Sequence, residues 1–395
     1  MSAPALELFT TFLRLGLTSF GGPLAHTGYF HREFVARRRW LEEDSFAQLL
    51  ALSQFLPGPA SSQLGFSIGL LRGGWAGALA AFVGFTLPSA VIMSAFAWLR
   101  PQLPGTLGAA ALHGLGLVAV AAVAYGVFAM AQRLCTDTRR SAIALAAAVL
   151  ILSGSSAWLQ IIAILLGALA GIVLCRDARI DIAAQFRPHY SARLGWSLIV
   201  TFALLLIVLP LVASGRGGLW VVADAFYRAG ALVFGGGHVV LPLLEQGVVA
   251  PGWISHEDFL AGYGAAQAVP GPMFTLAAYL GAILPGDMGG LAGALCALLS
   301  VFLPGLLLVA GVLPLWRLLA AHTLAARAIA GVNAAVVGLL AAALYSPVGV
   351  NAIHSVADVA IVIVALWLLR TTAVSALLAV CWCVAASVAW AVWVM

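Results

Sequence analysis

The sequence predicts an all-α, polytopic integral membrane protein built from two inverted structural repeats, each with a helix interrupted by Pro-Gly-Pro. Three observations carry this. The chain of 395 residues is 63% hydrophobic and only 8% charged, with a mean hydropathy of +1.07, whereas a soluble domain carries about 25% charged residues. One motif pattern occurs twice in the same order. Arginines cluster beside the first copy and are missing beside the second.

The apolar runs Trp75–Leu99, Ile143–Leu152, Ala157–Leu174, Leu194–Ala213, Leu291–Leu313 and Ala360–Leu369 supply, alone or with their neighbours, the helical length that a hydrocarbon core of ~30 Å demands. They do not alternate in polarity as barrel strands would, so the spans are helical. Span lengths allow about 9 to 13 crossings. The net charge of +5 comes from 19 arginines without a lysine; most lie in short loops, where they report orientation rather than nucleic-acid binding. Cys135, Cys175, Cys296, Cys381 and Cys383 are scattered and read as small core residues, without metal or redox spacing. No metal and no cofactor is expected. The opening residues lack a basic segment and a cleavage signature, so the N-terminus reads as mature.

Residues 12–22 align with 226–236 at an offset of 214, with six identities in eleven positions: Phe12, Arg14, Gly16, Phe20, Gly21 and Gly22 meet Phe226, Arg228, Gly230, Phe234, Gly235 and Gly236. At an offset of 213, Trp40, Phe46, Gln54 and Pro57-Gly58-Pro59 meet Trp253, Phe259, Gln267 and Pro270-Gly271-Pro272. At 216, Gly77 and Pro88 meet Gly293 and Pro304. Small drifts between blocks are loop insertions between elements of constant length, the mark of a duplication. The expected organisation is a first repeat over 1–190, a connecting transmembrane helix over 191–215 and a second repeat over 216–395.

The loop after the first Gly-Gly holds Arg32, Arg37, Arg38 and Arg39; its counterpart, residues 237–255, has no arginine and carries Glu245. By the positive-inside rule the first loop is cytoplasmic and the second faces out. Equivalent loops on opposite sides make the repeats inverted, and the unpaired connecting helix is what inversion needs when each half crosses an even number of times.

Proline removes a backbone donor, and the residue before it avoids helical geometry, so a helix must end and another begin at each Pro-Gly-Pro. At membrane depth the freed groups must face protein or a polar cavity. Two converging helix N-termini would make an anion site from main-chain donors, with Ser61, Ser62 and Thr275 adding hydroxyls. The plainer alternative is a kink in a packed helix. Gln54 and Gln267, one turn before the breaks, could satisfy freed backbone groups or touch a ligand.

Arg14 and Arg228 sit mid-segment, where a guanidinium costs ~2.5–3.5 kcal/mol or more unless paired or hydrated. Its planar fork suits a tetrahedral oxyanion. The alternative is an internal ion pair: Asp224 precedes Arg228 by four residues, while Arg14 has no such partner. The candidate substrate site is therefore Arg14, Arg228, Gly21, Gly22, Gly235, Gly236, Gln54, Gln267, Pro57, Gly58, Pro59, Ser61, Ser62, Pro270, Gly271, Pro272 and Thr275, with Asp224 as a proton-coupling candidate whose first-repeat position is Thr10. The glycines serve either positive φ or close packing. Glu42, Glu43 and Asp44 read as a helix start, His26, His31 and His238 as solvated loop histidines, and His113 as a buried histidine without a visible partner.

The signatures of metalloproteases, serine hydrolases and nucleotide-driven pumps are missing; the chain reads as a transporter rather than an enzyme. The paired motifs, Arg14 with Phe20-Gly21-Gly22, Trp40 and Phe46, Gln54 with Pro57-Gly58-Pro59, and their second set, resemble the chromate ion transporter family in its long, two-domain form, over nearly the whole chain. The resemblance implies a multi-pass carrier of the bacterial inner membrane that exports chromate, driven by the proton-motive force and conferring chromate resistance, with sulfate as a competing analogue; alternating access around a midplane site built from Arg14, Arg228 and the half-helix N-termini is the expected mechanism. Its partners would be chromate, sulfate and the lipid bilayer, with a homodimer permitted. The alternatives are a carrier or channel for sulfate or another oxyanion, and a membrane-embedded enzyme, for which no catalytic cluster is found. Where the first break is followed by Ser61-Ser62, the second is followed by Phe274-Thr275, which puts a symmetric hydroxyl site in doubt.

Overall fold

The protein is described from a computed structural model, over residues 4–102, 105–154, 157–178, 186, 188–234, 237–316, 322–371 and 375–394. All regular structure among them is helical. The helices are α1 (Ala5–Thr18), α2 (Gly22–His31, continued by a π-helical turn over Arg32–Arg37), α3 (Glu43–Phe55), α4 (Ala60–Leu99), α5 (Gly105–Leu134), α6 (Thr138–Leu152), α7 (Ala157–Leu174) and α8 (Ala192–Arg216). They continue as α9 (Leu219–Leu232), α10 (Val240–Val248), α11 (His256–Ala268), α12 (Leu276–Ala282), α13 (Gly290–Val312), α14 (Thr323–Ala343), α15 (Val356–Thr371) and α16 (Ser375–Val394).

Among the described residues, six helical stretches are long and apolar enough to cross a membrane: Ala60–Leu99, Gly105–Leu134, Ala192–Arg216, Gly290–Leu315, Thr323–Ala352 and Ala376–Val394. The chain is a multi-pass membrane protein. Local rules set the helix ends. Glu43 and Asp44 lie in the first turn of α3, where carboxylates complement the helix dipole. The side chain of Asp137 accepts from the Arg140 amide at 2.9 Å and starts α6. α4 is two helices folded back on one another, because Gly73 and Gly74 leave helical geometry between them and Gly69 packs against Gly77 and Ala81.

The chain forms two compact units, and neither is a continuous half of the sequence. The first comprises Met1–Ala97, Asp181–Val240 and Val269–Ala321; the second comprises Trp98–Ile180, Leu241–Ala268 and His322–Met395.

Within the first unit, close helix approach repeats at equivalent places. Gly16 of α1 lies against the carbonyls of Gly84 and Phe85 on α4, and Gly230 of α9 lies against the Val301 carbonyl on α13. Gly69 meets Gly77 across the α4 kink, and Gly281 of α12 meets Gly293 of α13. Without a hydrophobic drive between helices in lipid, such small-residue seams give the close contact that holds them. Beside the first seam, Phe12, Phe30, Phe34 and Phe85 form a buried aromatic cluster. Trp40 stacks on Phe34 at 5.3 Å and lies under the guanidinia of Arg38 and Arg72.

Within the second unit, α14 packs on α6 and α7, with Gly331 against Gly171 and Gly338 against the Ala144 carbonyl. Correspondingly, α5 packs on α15 and α16, with Gly114 against Cys383 and Val384. Each long helix thus packs on the helix pair of the other sequence half.

Candidate functional site

Both Pro-Gly-Pro segments break the helix. α3 ends at Phe55, Leu56 is extended, and α4 begins at Ala60. α11 ends at Ala268, Pro272 is extended, and a 3-10 turn over Met273–Thr275 leads into α12. The peptide groups freed at the breaks are satisfied across the two halves of the sequence. The Gly58 amide donates to the Val233 carbonyl at 2.7 Å, and the Gly271 amide donates to the Ser19 carbonyl at 2.9 Å. Val233 and Ser19 each lie just before a Phe-Gly-Gly motif. Pro57-Gly58-Pro59 and Pro270-Gly271-Pro272 are therefore both seated in the first unit, each on the end of the other half's first helix.

The glycine at the centre of each break is required. Gly58 has φ 124° and Gly271 φ 101°, a region closed to most side chains. A Cβ on Gly58 would lie 2.8 Å from the Cα of Gly305, and one on Gly271 would lie 2.9 Å from the Ser89 hydroxyl. Gly305 and Ser89 occupy matching positions on α13 and α4.

The breaks differ in how they are braced. Gln63, in the first turn of α4, donates from Nε2 to the carbonyls of Pro57 (2.9 Å) and Gly305 (3.0 Å). Its counterpart is Leu276, which cannot do this. At the second break the Thr275 hydroxyl donates to the Pro272 carbonyl at 2.9 Å. Sequence reasoning passed over Gln63; a glutamine one turn after a break was the signal, but its Gly305 partner is 242 residues away.

Buried polar atoms gather around these segments. Ser19 Oγ, His26 Nδ1, Ser62 Oγ, Gln63 Oε1 and Thr86 Oγ1 are buried and have no hydrogen-bond partner among the described residues. Such groups are rare in packed interiors and point to water or a polar solute. Ser61 and Ser62, in the first turn of α4, are buried with them, at the positive end of the helix dipole.

The two arginines part company. The Arg228 guanidinium donates to Asp224 Oδ2 at 2.6 Å, one helical turn away on α9. Arg14, exposed on α1, forms no ion pair among the described residues. Thr10, at the position matching Asp224, turns its hydroxyl back to the carbonyls of Leu6 and Glu7. Gly21 and Gly22 both have positive φ, 96° and 74°, so conformation fixes their identity. Gly235 and Gly236 lie outside the described residues. Gln54 belongs to the first unit, whereas Gln267 belongs to the second and hydrogen-bonds Tyr263 there.

Three histidines depart from expectation. His26 is buried, with Nε2 3.2 Å from the Ser19 carbonyl that also receives Gly271; α2 carries it inward, since Gly21 starts a helix at once. His31 is held by Glu43 at 2.9 Å. His113 has a partner after all, Asp358 at 2.9 Å, and a separation of 245 residues hid it.

Outside the spans, the basic loop is tied to itself. Glu33 receives Arg37 and Arg38. Its partial burial pushes the carboxyl up, but the hydrogen bonds from Arg38 and Arg37 outweigh this and hold it below the usual range. In α10, burial pushes Glu245 up to about 7.

The chain is similar to a chromate transport protein of Pseudomonas aeruginosa, 28% identical over 77% of this chain and 71% of that one. It is also similar to a probable chromate transport protein of Synechococcus elongatus, 30% identical over 85% of this chain and 83% of that one, and to a chromate transport protein of Cupriavidus metallidurans, 27% identical over 75% and 71%. No solved structure matches. The chromate transporter family model matches residues 6–172 and again residues 220–390. With most of its length accounted for by these two matches, the chain belongs to the chromate transporter family.

Proposed function

We propose that the protein exports chromate across the bacterial inner membrane by alternating access, with its two sequence halves as inverted repeats, and so confers chromate resistance. The observation that carries this is the seating of both Pro-Gly-Pro segments in one unit, each hydrogen-bonded to the other half of the sequence, amid buried polar atoms that have no hydrogen-bond partner among the described residues. A tetrahedral dianion would take amide and hydroxyl donors from the first turn of α4, at Ser61 and Ser62, and its charge would be met by Arg14. Arg228 contributes less, because Asp224 already neutralises it. Gly21, Gly22 and Gly271 let the backbone approach the solute, and Gly235 and Gly236 are assigned the same role by their position in the motif. Thr275 is a weaker donor than Ser62, since its hydroxyl is engaged.

The proton-motive force is the drive. Moving a dianion out of a negative interior gains roughly 4.6 kcal/mol per 100 mV, so the electrical component already favours export. Asp224, next to a guanidinium and with Oδ1 unpartnered, is the group to carry a coupled proton.

The test is flux of labelled chromate in inside-out vesicles and proteoliposomes under an imposed potential or pH gradient. Energised vesicles should accumulate chromate, with sulfate competing. Sulfate flux without chromate flux, or no response to energisation, would overturn the reading.

A further inference from the structure

Apart from the breaks, the second unit holds a cavity of about 800 Å³ with His113, His256, Glu257, His354 and Asp358 in its wall. Within it, one ring nitrogen from each of His113 and His354 and one oxygen of Asp358 all lie within 4.8 Å of one another. We propose that these three side chains bind a divalent first-row transition metal, pinning α5 to the start of α15.

The arrangement has the features of a ligand set rather than of a helix cap alone. Asp358 stands at the third position of α15, where Ser355 caps the helix: the Asp358 amide donates to the Ser355 hydroxyl at 3.2 Å. The carboxylate divides its oxygens. Oδ2 accepts from the amides of His354 (2.9 Å) and Ser355 (2.8 Å), which fixes the group and aims Oδ1 at His113, 2.9 Å away. A metal-bound carboxylate is oriented in this way by its second oxygen. The rings of His113 and His354 lie nearly parallel, 26° apart with centroids at 5.5 Å. Two protonated imidazoles so placed would repel, whereas two neutral ones present lone pairs to a shared cation.

The donors also define the class of ion. Two imidazoles and one carboxylate suit zinc, copper, nickel or iron, while calcium and magnesium prefer an all-oxygen shell. With metal–ligand bonds of about 2.0–2.1 Å, ligand atoms in a tetrahedral site lie about 3.3 Å apart. The His113–Asp358 contact would open by only a few tenths of an ångström, and the cavity leaves room for water as the fourth ligand. An oxyanion is disfavoured there by Asp358 and Glu257.

Purified full-length protein, freed of metal and titrated with cobalt(II), should develop visible d–d absorption at one equivalent that zinc(II) displaces. Zinc should also raise the thermal midpoint in a concentration-dependent way. His354→Ala, on an exposed loop, and His113→Ala should each weaken binding at least about tenfold, whereas His256→Ala should not. The proposal is overturned if no band forms, if His354→Ala binds as tightly as the parent, or if His256→Ala weakens binding as much as the other two.

Discussion

The two Pro-Gly-Pro breaks share a backbone and differ in everything attached to it. Each has a glycine at positive φ, seated on the end of the other half's first helix. The first is braced by the Gln63 amide, carries buried Ser61 and Ser62, and is accompanied by an arginine without an ion-pair partner among the described residues. The second has Leu276 in place of glutamine, a threonine turned back on its own turn, and an arginine tied to Asp224. The backbone of the break occurs twice, while the glutamine brace and the buried serines belong to the first alone. Under the proposed function a carrier of one dianion needs one strong anion site, and two uncompensated guanidinia would hold the solute too tightly to release it.

The largest effect should come from what the copies share. Gly58→Ala and Gly271→Ala each force a side chain into positive φ and into a neighbour, for about 2–4 kcal/mol each, read as a lower unfolding midpoint in detergent. A silent variant at either glycine would mean that this break is looser than its partner.

Next is the brace found on one side only. Gln63→Leu copies the second break onto the first and takes the donor from the buried Gly305 carbonyl and the part-buried Pro57 carbonyl, for about 1–3 kcal/mol. Leu276→Gln in the second break has no such carbonyl pair to meet and should not stabilise. Equal and opposite effects would show the braces to be interchangeable.

Asp224→Asn makes the second arginine resemble the first. Chromate should then bind tighter by roughly 1 kcal/mol, about fivefold in Kd, with slower turnover. Unchanged affinity would remove Arg228 from the neighbourhood of the solute.

The smallest effect separates Glu33 from Glu245 by the sign of their pH dependence. Glu33 is held below its usual pKa of 4.5, so its contribution is present above that pH and is lost as pH falls through the lower folded value. Glu245 is raised from 4.5 to about 7, so stability is greatest below 4.5 and declines as pH rises towards 7. Midpoint-against-pH curves should therefore lose an acid slope in Glu33→Gln, a few tenths of a kcal/mol at most, and a neutral-range slope in Glu245→Gln.

What could be read from the sequence was what local chemistry dictates. Composition sets the helical membrane class, proline and glycine set the two breaks, and the four-residue spacing of Asp224 and Arg228 is enough for their ion pair. The long-range features were closed to it. Nothing near Gln63 names Gly305, nothing near His113 names Asp358, and the contiguous halves do not reveal that α5 and α14 each pack on the other half's helices. The Gly-Gly motif looks in sequence like the end of a helix, which puts His26 in a loop, whereas Gly21 begins the next helix and carries His26 inward.

The asymmetry of the two arginines is tested most directly by chromate flux in Arg14→Ala and Arg228→Ala, each checked for membrane insertion and compared in the same vesicles. Arg14→Ala should abolish export while the protein remains in the membrane, and Arg228→Ala should retain a measurable fraction. Equal losses in both variants, or normal export by Arg14→Ala, would contradict the account.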